Sequence, residues 1–71
     1  MKIRVAAWQS EILEGTGYVS GQTLTGTEAT AVRIAGEIFR AGKDVLLRHS
    51  CTGMLVIQCY QRNVAVSKPE R

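Results

Sequence analysis

The sequence predicts an α+β domain: an antiparallel sheet of about four strands with one amphipathic helix on one face, in β-β-α-β-β order. Three observations carry this. A capped helical stretch runs from Thr25 to Gly42, the clearest β-hairpin spans Val45 to Gln61, and Lys2 to Gln9 alternates apolar and polar. Short connections between such elements favour antiparallel pairing with the helix across one side.

Lys2 to Gln9 has a period of two. Ile3, Val5 and Ala7 fall on one side, and Lys2, Arg4, Ala6 and Trp8 on the other, as in a half-buried strand. Ser10 to Leu24 is punctured by Gly15, Gly17 and Gly21. Glu14-Gly15-Thr16-Gly17 has the make-up of a hairpin turn. Either Tyr18-Val19 or Gln22 to Leu24 supplies the returning strand.

Thr25 and Glu28 stand at capping-box spacing. Gly42 fits the left-handed residue that ends a helix. At about 100° per residue, Ala31, Val32, Ile34, Ala35, Ile38 and Phe39 share one arc, with Arg33, Glu37 and Arg40 on the other. Val45 to His49 then forms a strand, Ser50-Cys51-Thr52-Gly53 a short turn, and Met54 to Gln61 the return strand. Arg62-Asn63 is read as a turn and Val64-Ala65-Val66 as a short edge strand. Residues 67–71 form a polar tail in which Pro69 opposes further pairing.

The 71 residues make one small domain, 1–71, whose core is marginal without a partner or a second copy. The net charge is +3, and the basic residues are dispersed. That permits contact with nucleic acid or an acidic protein surface without requiring it. Two cysteines, Cys51 and Cys59, make no disulfide framework. Met1 to Val5 lacks a signal-peptide run, and no apolar run approaches membrane-spanning length. A reduced, cytoplasmic location is the expectation.

The hairpin carries more apolar surface than one helix covers. Val45, Leu47, Leu55, Ile57 and Cys59 fit beneath the helix. The opposite face then presents Leu46, Met54 and Val56, with Trp8 and Tyr60 beside them and Lys2, Arg4, Arg48 and Gln58 around them. A sheet face open to water reads polar. An apolar centre with a basic rim has the composition of an interface. The expected partner-binding residues are therefore Lys2, Arg4, Trp8, Leu46, Arg48, Met54, Val56 and Tyr60. Two alternatives leave this face without a partner protein: Ser10 to Leu24 folds over it, or the chain forms a homodimer.

Little points to catalysis or a cofactor. His49 and Cys51 lack an orienting third group, and a metal site needs about three or four ligands that this spacing does not bring together. Gly15 and Gly17 do not lie between a strand and a helix start, as a phosphate-cradling loop requires. Glu28 belongs to the helix cap, and Glu37 pairs along the helix with Arg33 and Arg40. No two carboxylates read as an acid–base pair. We therefore expect no enzyme, cofactor or metal. The same aromatic and basic face also has the chemistry to stack bases and hold phosphates of a single strand, although no RNP-type motif is present.

Thr27-Glu28-Ala29, the Ala- and Ile-rich helix to Gly42, Asp44 to Arg48 and the Gly53 hairpin together resemble a pattern in small phage and bacterial domains. Some phage-encoded inhibitors of the anti-CRISPR type are similar in length and element order. The resemblance covers Thr25 to Tyr60 and rests on architecture, so no functional residue is carried over. It implies a stand-alone protein that occupies a surface of a larger nucleic-acid-processing complex. The +3 charge departs from the acidic, DNA-mimicking members of that group.

Overall fold

In a computed structural model describing residues 1–62, the chain runs β1 (Lys2–Ala7), a 3-10 turn (Ser10–Leu13), β2 (Thr23–Thr25), α1 (Glu28–Arg40), β3 (Lys43–His49) and β4 (Leu55–Gln61). The four strands form one sheet in the order β2-β1-β4-β3. The expected α+β class holds, with one helix and a four-stranded sheet. The expected Val64 to Val66 strand and the 67–71 tail lie outside the described residues.

Two expectations about the layout are corrected. The sheet is mixed: β1–β2 and β3–β4 pair antiparallel, but β1 and β4 pair parallel. The element order also differs, because the 3-10 turn intervenes between β1 and β2. The helix explains the parallel pair. Its 13 residues span about 20 Å at 1.5 Å per residue, close to the length of a strand. It returns the chain to the end of the sheet where β2 began. β3 therefore runs alongside β2 in direction, and β4 alongside β1.

β4 is central, and its sequence suits that place. Leu55, Val56 and Ile57 are all buried, the continuous apolar run of a strand flanked on both sides. One face of the sheet contributes Ile3, Val5, Leu55, Ile57 and Cys59 to the core, with Val45 and Leu47 packed at its margin. α1 lays Ala31, Ile34, Ala35 and Ile38 on that face. Val32 and Phe39, expected on the buried arc, are instead exposed on the helix flank.

The helix cap is also displaced from its expected place. Thr27, not Thr25, is the N-cap. Its hydroxyl accepts from the Thr30 N–H, and its own N–H donates to the Thr30 hydroxyl. Thr25 is committed to β2, opposite Lys2, and the Gly26 N–H donates to the Met1 carbonyl. Sheet pairing thus holds the chain extended two residues longer than the capping-box spacing suggests. Gly42, at φ +100°, reverses the chain after Ala41.

Ser10 to Gln22 is not a simple hairpin. Ile12 and Leu13 of the 3-10 turn are buried in the core, on the helix side. The segment then returns along the end of β1. The Val5 N–H donates to the Gln22 carbonyl and the Gly21 N–H to the Val5 carbonyl, both at 2.8 Å. The Ser20 hydroxyl donates to the Ala7 carbonyl at 2.6 Å and accepts from its N–H at 3.2 Å. A serine side chain here satisfies backbone groups that a strand would otherwise pair. Tyr18 reaches over to α1, donating its hydroxyl to Glu37.

Candidate binding face

Because the 3-10 turn packs beside α1, the opposite face of the sheet has no covering layer among the described residues. Strand alternation puts Lys2 and Arg4 of β1, Leu46 and Arg48 of β3, and Val56 and Tyr60 of β4 on that face. Register aligns them in rows. Arg4 and Arg48 flank Val56 on either side, Ala6 and Leu46 flank Gln58, and Asp44 stands opposite Tyr60. Met54 precedes β4 and Trp8 follows β1, each just past a strand end.

The apolar members differ in availability. Trp8 is 77% exposed, Leu46 52% and Tyr60 44%. Val56, expected as an exposed apolar centre, is only 5% exposed. Its two neighbours in register are arginines, whose aliphatic stems cover apolar surface while the guanidinium heads stay in water. The middle of the row is therefore a buried valine between two cations. Met54 is half-buried. With Lys2, Thr52 and Gly53 it lines an open cleft of about 390 Å³ beside the β3–β4 turn.

Charge is segregated across the sheet. Glu11, Glu14, Glu28 and Glu37 belong to the 3-10 turn, its end or α1, all in the helix layer. Among the described residues the acid on the outer face is Asp44, paired with Arg62 at 3.1 Å. Lys2, Arg4 and Arg48 therefore give this face a positive balance. Thr23 and Thr25 of β2 stand opposite Arg4 and Lys2 and widen the face. Sequence reasoning missed both threonines because β2 had not been fixed, and missed Asp44 although it shares the parity of Leu46 and Arg48.

The residues weighed for chemistry are dispersed. Cys59 is buried opposite Val45, and burial pushes its thiol up from the ordinary 9.0, the opposite of an activated nucleophile. Cys51 is exposed in the turn and His49 is exposed at the end of β3. Among the described residues, no three His, Cys, Asp or Glu side chains stand together as a metal-binding group. Gly15 and Gly17 take positive φ in turns well before α1. Among the described residues, no helix is long and apolar enough to cross a membrane. Compared with known proteins, the chain matches no family model, no curated protein and no solved structure.

Proposed function

We propose that this chain is a non-enzymatic binding protein that seats its outer sheet face on a larger nucleic-acid-processing complex and blocks it. The observation that carries the reading is a sheet face with no cover among the described residues, presenting Trp8, Leu46 and Tyr60 with Lys2, Arg4 and Arg48. Aromatic and arginine side chains are the types that dominate interface energetics. The likeness of Thr25 to Tyr60 to small phage-encoded inhibitors supports the most specific form, inhibition of a CRISPR-type complex in the cytoplasm. The test is cleavage by a purified CRISPR effector titrated with the protein and with its Trp8→Ala and Tyr60→Ala variants. Inhibition that weakens in the variants, while their unfolding midpoints hold, supports the reading. Undiminished cleavage at saturating protein removes its specific form.

A second reading rests on the row Arg4–Val56–Arg48, with Tyr60 two rows further along the same face of β4. Two cations and an exposed ring spaced along one face suit the phosphates and a stacked base of an extended single strand. Direct oligonucleotide binding that falls steeply with salt favours it. Binding absent at low salt removes it.

A further inference from the structure

The sheet has two edges, and they are unlike. β2 is three residues long and polar, a short edge of the kind that resists pairing. β3 is seven residues long, Lys43-Asp44-Val45-Leu46-Leu47-Arg48-His49, with no proline or glycine. Among the described residues its outer edge has no neighbour. Every second residue there turns its N–H and C=O away from β4; the Lys43 carbonyl already accepts from Arg62, and those of Val45 and Leu47 stand ready to pair with another strand.

Apolar side chains gather along this edge on both sides. Leu46 is exposed on the outer face, and Val45 and Leu47 are half-buried on the inner face. α1 lies mainly over β3. On the helix wheel Val32 and Phe39 sit about 140–160° from Glu37 at 100° per residue. Glu37 faces Tyr18 and the β1–β2 connection, so Val32 and Phe39 overhang the outer edge of β3. An independent contact agrees: Arg62 stacks on the Phe39 ring while bonding Asp44 and the Lys43 carbonyl, at the start of β3.

We propose that the outer edge of β3 is a self-association surface that joins two copies of this chain antiparallel, about a two-fold axis at Leu46. Charge complementarity selects that occupant and that register. Centred on Leu46, the pairing sets Asp44 opposite the second copy's Arg48, and Arg48 opposite its Asp44. Val45 meets Leu47 on the inner face, and Leu46 meets Leu46 on the outer. Antiparallel partners share a face, and each of these pairs does. Shifting the centre to Val45 or Leu47 separates both charge pairs, and parallel pairing brings like charges abreast. Arg62 holds one oxygen of Asp44, whose side chain stays 51% exposed and within reach of a second partner. The charges that deter foreign strands at an edge are thus matched by a second copy. A two-fold contact of this kind closes on itself. It joins the two sheets into one of eight strands and does not depend on the binding role of the outer face.

Sedimentation equilibrium of the full chain from micromolar to near-millimolar concentration tests this. The expected mass rises from one copy to two and stops there. Arg48→Asp should weaken the dimer at least about tenfold, since two attractive cross-strand pairs become repulsive. Arg48→Asp combined with Asp44→Arg should restore association, because the swapped pairs are again opposite. Circular dichroism confirms that each variant is folded, and concentration-dependent protection of alternate β3 amides locates the contact. A one-copy mass throughout overturns the proposal. So does a dimer indifferent to the charge changes, which pairs through another surface, or growth beyond two copies, which marks a head-to-tail contact.

Discussion

The Tyr18 hydroxyl donates to Glu37 Oε1 at 2.5 Å, while Arg33 donates to Oε2 of the same carboxylate at 2.7 Å. One glutamate on α1 thereby pins the long β1–β2 connection to the helix layer. The Tyr18 bond, with Arg33 adding to it, outweighs burial and holds Glu37 below its ordinary 4.5. The same bond, followed by burial, raises Tyr18 above 10.0. A lowered carboxylate contributes stability above 4.5 that is lost as pH falls through its folded value. A raised tyrosine contributes stability below 10.0 that is lost as pH climbs through its folded value. Tyr18→Phe should therefore lower the urea midpoint near neutrality and flatten both limbs of its pH profile. An acid limb of unchanged steepness would count against this bond.

Ile57 tests the parallel seam. It is fully buried on β4, between Val5 of β1 and Leu47 of β3. Ile57→Val should cost about 1 kcal/mol and Ile57→Ala about 2–5 kcal/mol. The larger value is comparable with the whole stability of a domain this size, so urea titration of the alanine variant should find it largely unfolded.

Two glycines should respond in opposite directions. Gly42 has φ +100° with nothing within 4 Å of an added Cβ, so Gly42→Ala meets backbone strain without a clash and should cost about 1–2 kcal/mol. Gly36 lies within α1, where an added Cβ meets only Arg40 Nη1 at 3.6 Å. Gly36→Ala should stabilise by about 0.5–1 kcal/mol through helix propensity. Thermal melts of the two variants should shift apart.

Arg62 ties the end of β4 to the other layer. It bonds the Phe39 carbonyl at 2.9 Å, the Lys43 carbonyl at 2.8 Å and Asp44 at 3.1 Å, with its guanidinium 4.2 Å from the Phe39 centroid. Arg62→Ala should cost about 1–2 kcal/mol. Arg62→Lys should recover little of it, because an ammonium lacks the planar fork. Urea unfolding of both variants decides the point.

The elements with strong local signals were legible in the sequence. The helix body, and Val45, Leu47, Leu55, Ile57 and Cys59 on the inner face, follow from periods of 3.6 and two. What was not legible depended on contacts far apart in the chain. The pairing of Ile3 with Leu55 leaves no local mark, so the parallel seam was invisible, although the unbroken run Leu55-Val56-Ile57 already had the character of a central strand. The cap moved from Thr25 to Thr27 because Lys2 claims Thr25 for the sheet. Ile12 and Leu13 showed no period, being one short turn between polar residues. Val56 looked exposed by parity, but its place between two arginines is identified only by register.

The parallel seam also orders events during synthesis. β1 is made well before β4, its neighbour along that seam. Until Leu55 to Gln61 has left the ribosome, Ile3 has only Leu24 of β2 to pair with, and Val5 only the Gly21–Gln22 backbone. Closing so long a loop is entropically costly, and contacts of this range slow folding. The nascent chain thus carries an unfinished, apolar β1 until β4 has emerged, and a stall or truncation before β4 leaves a product without the parallel seam.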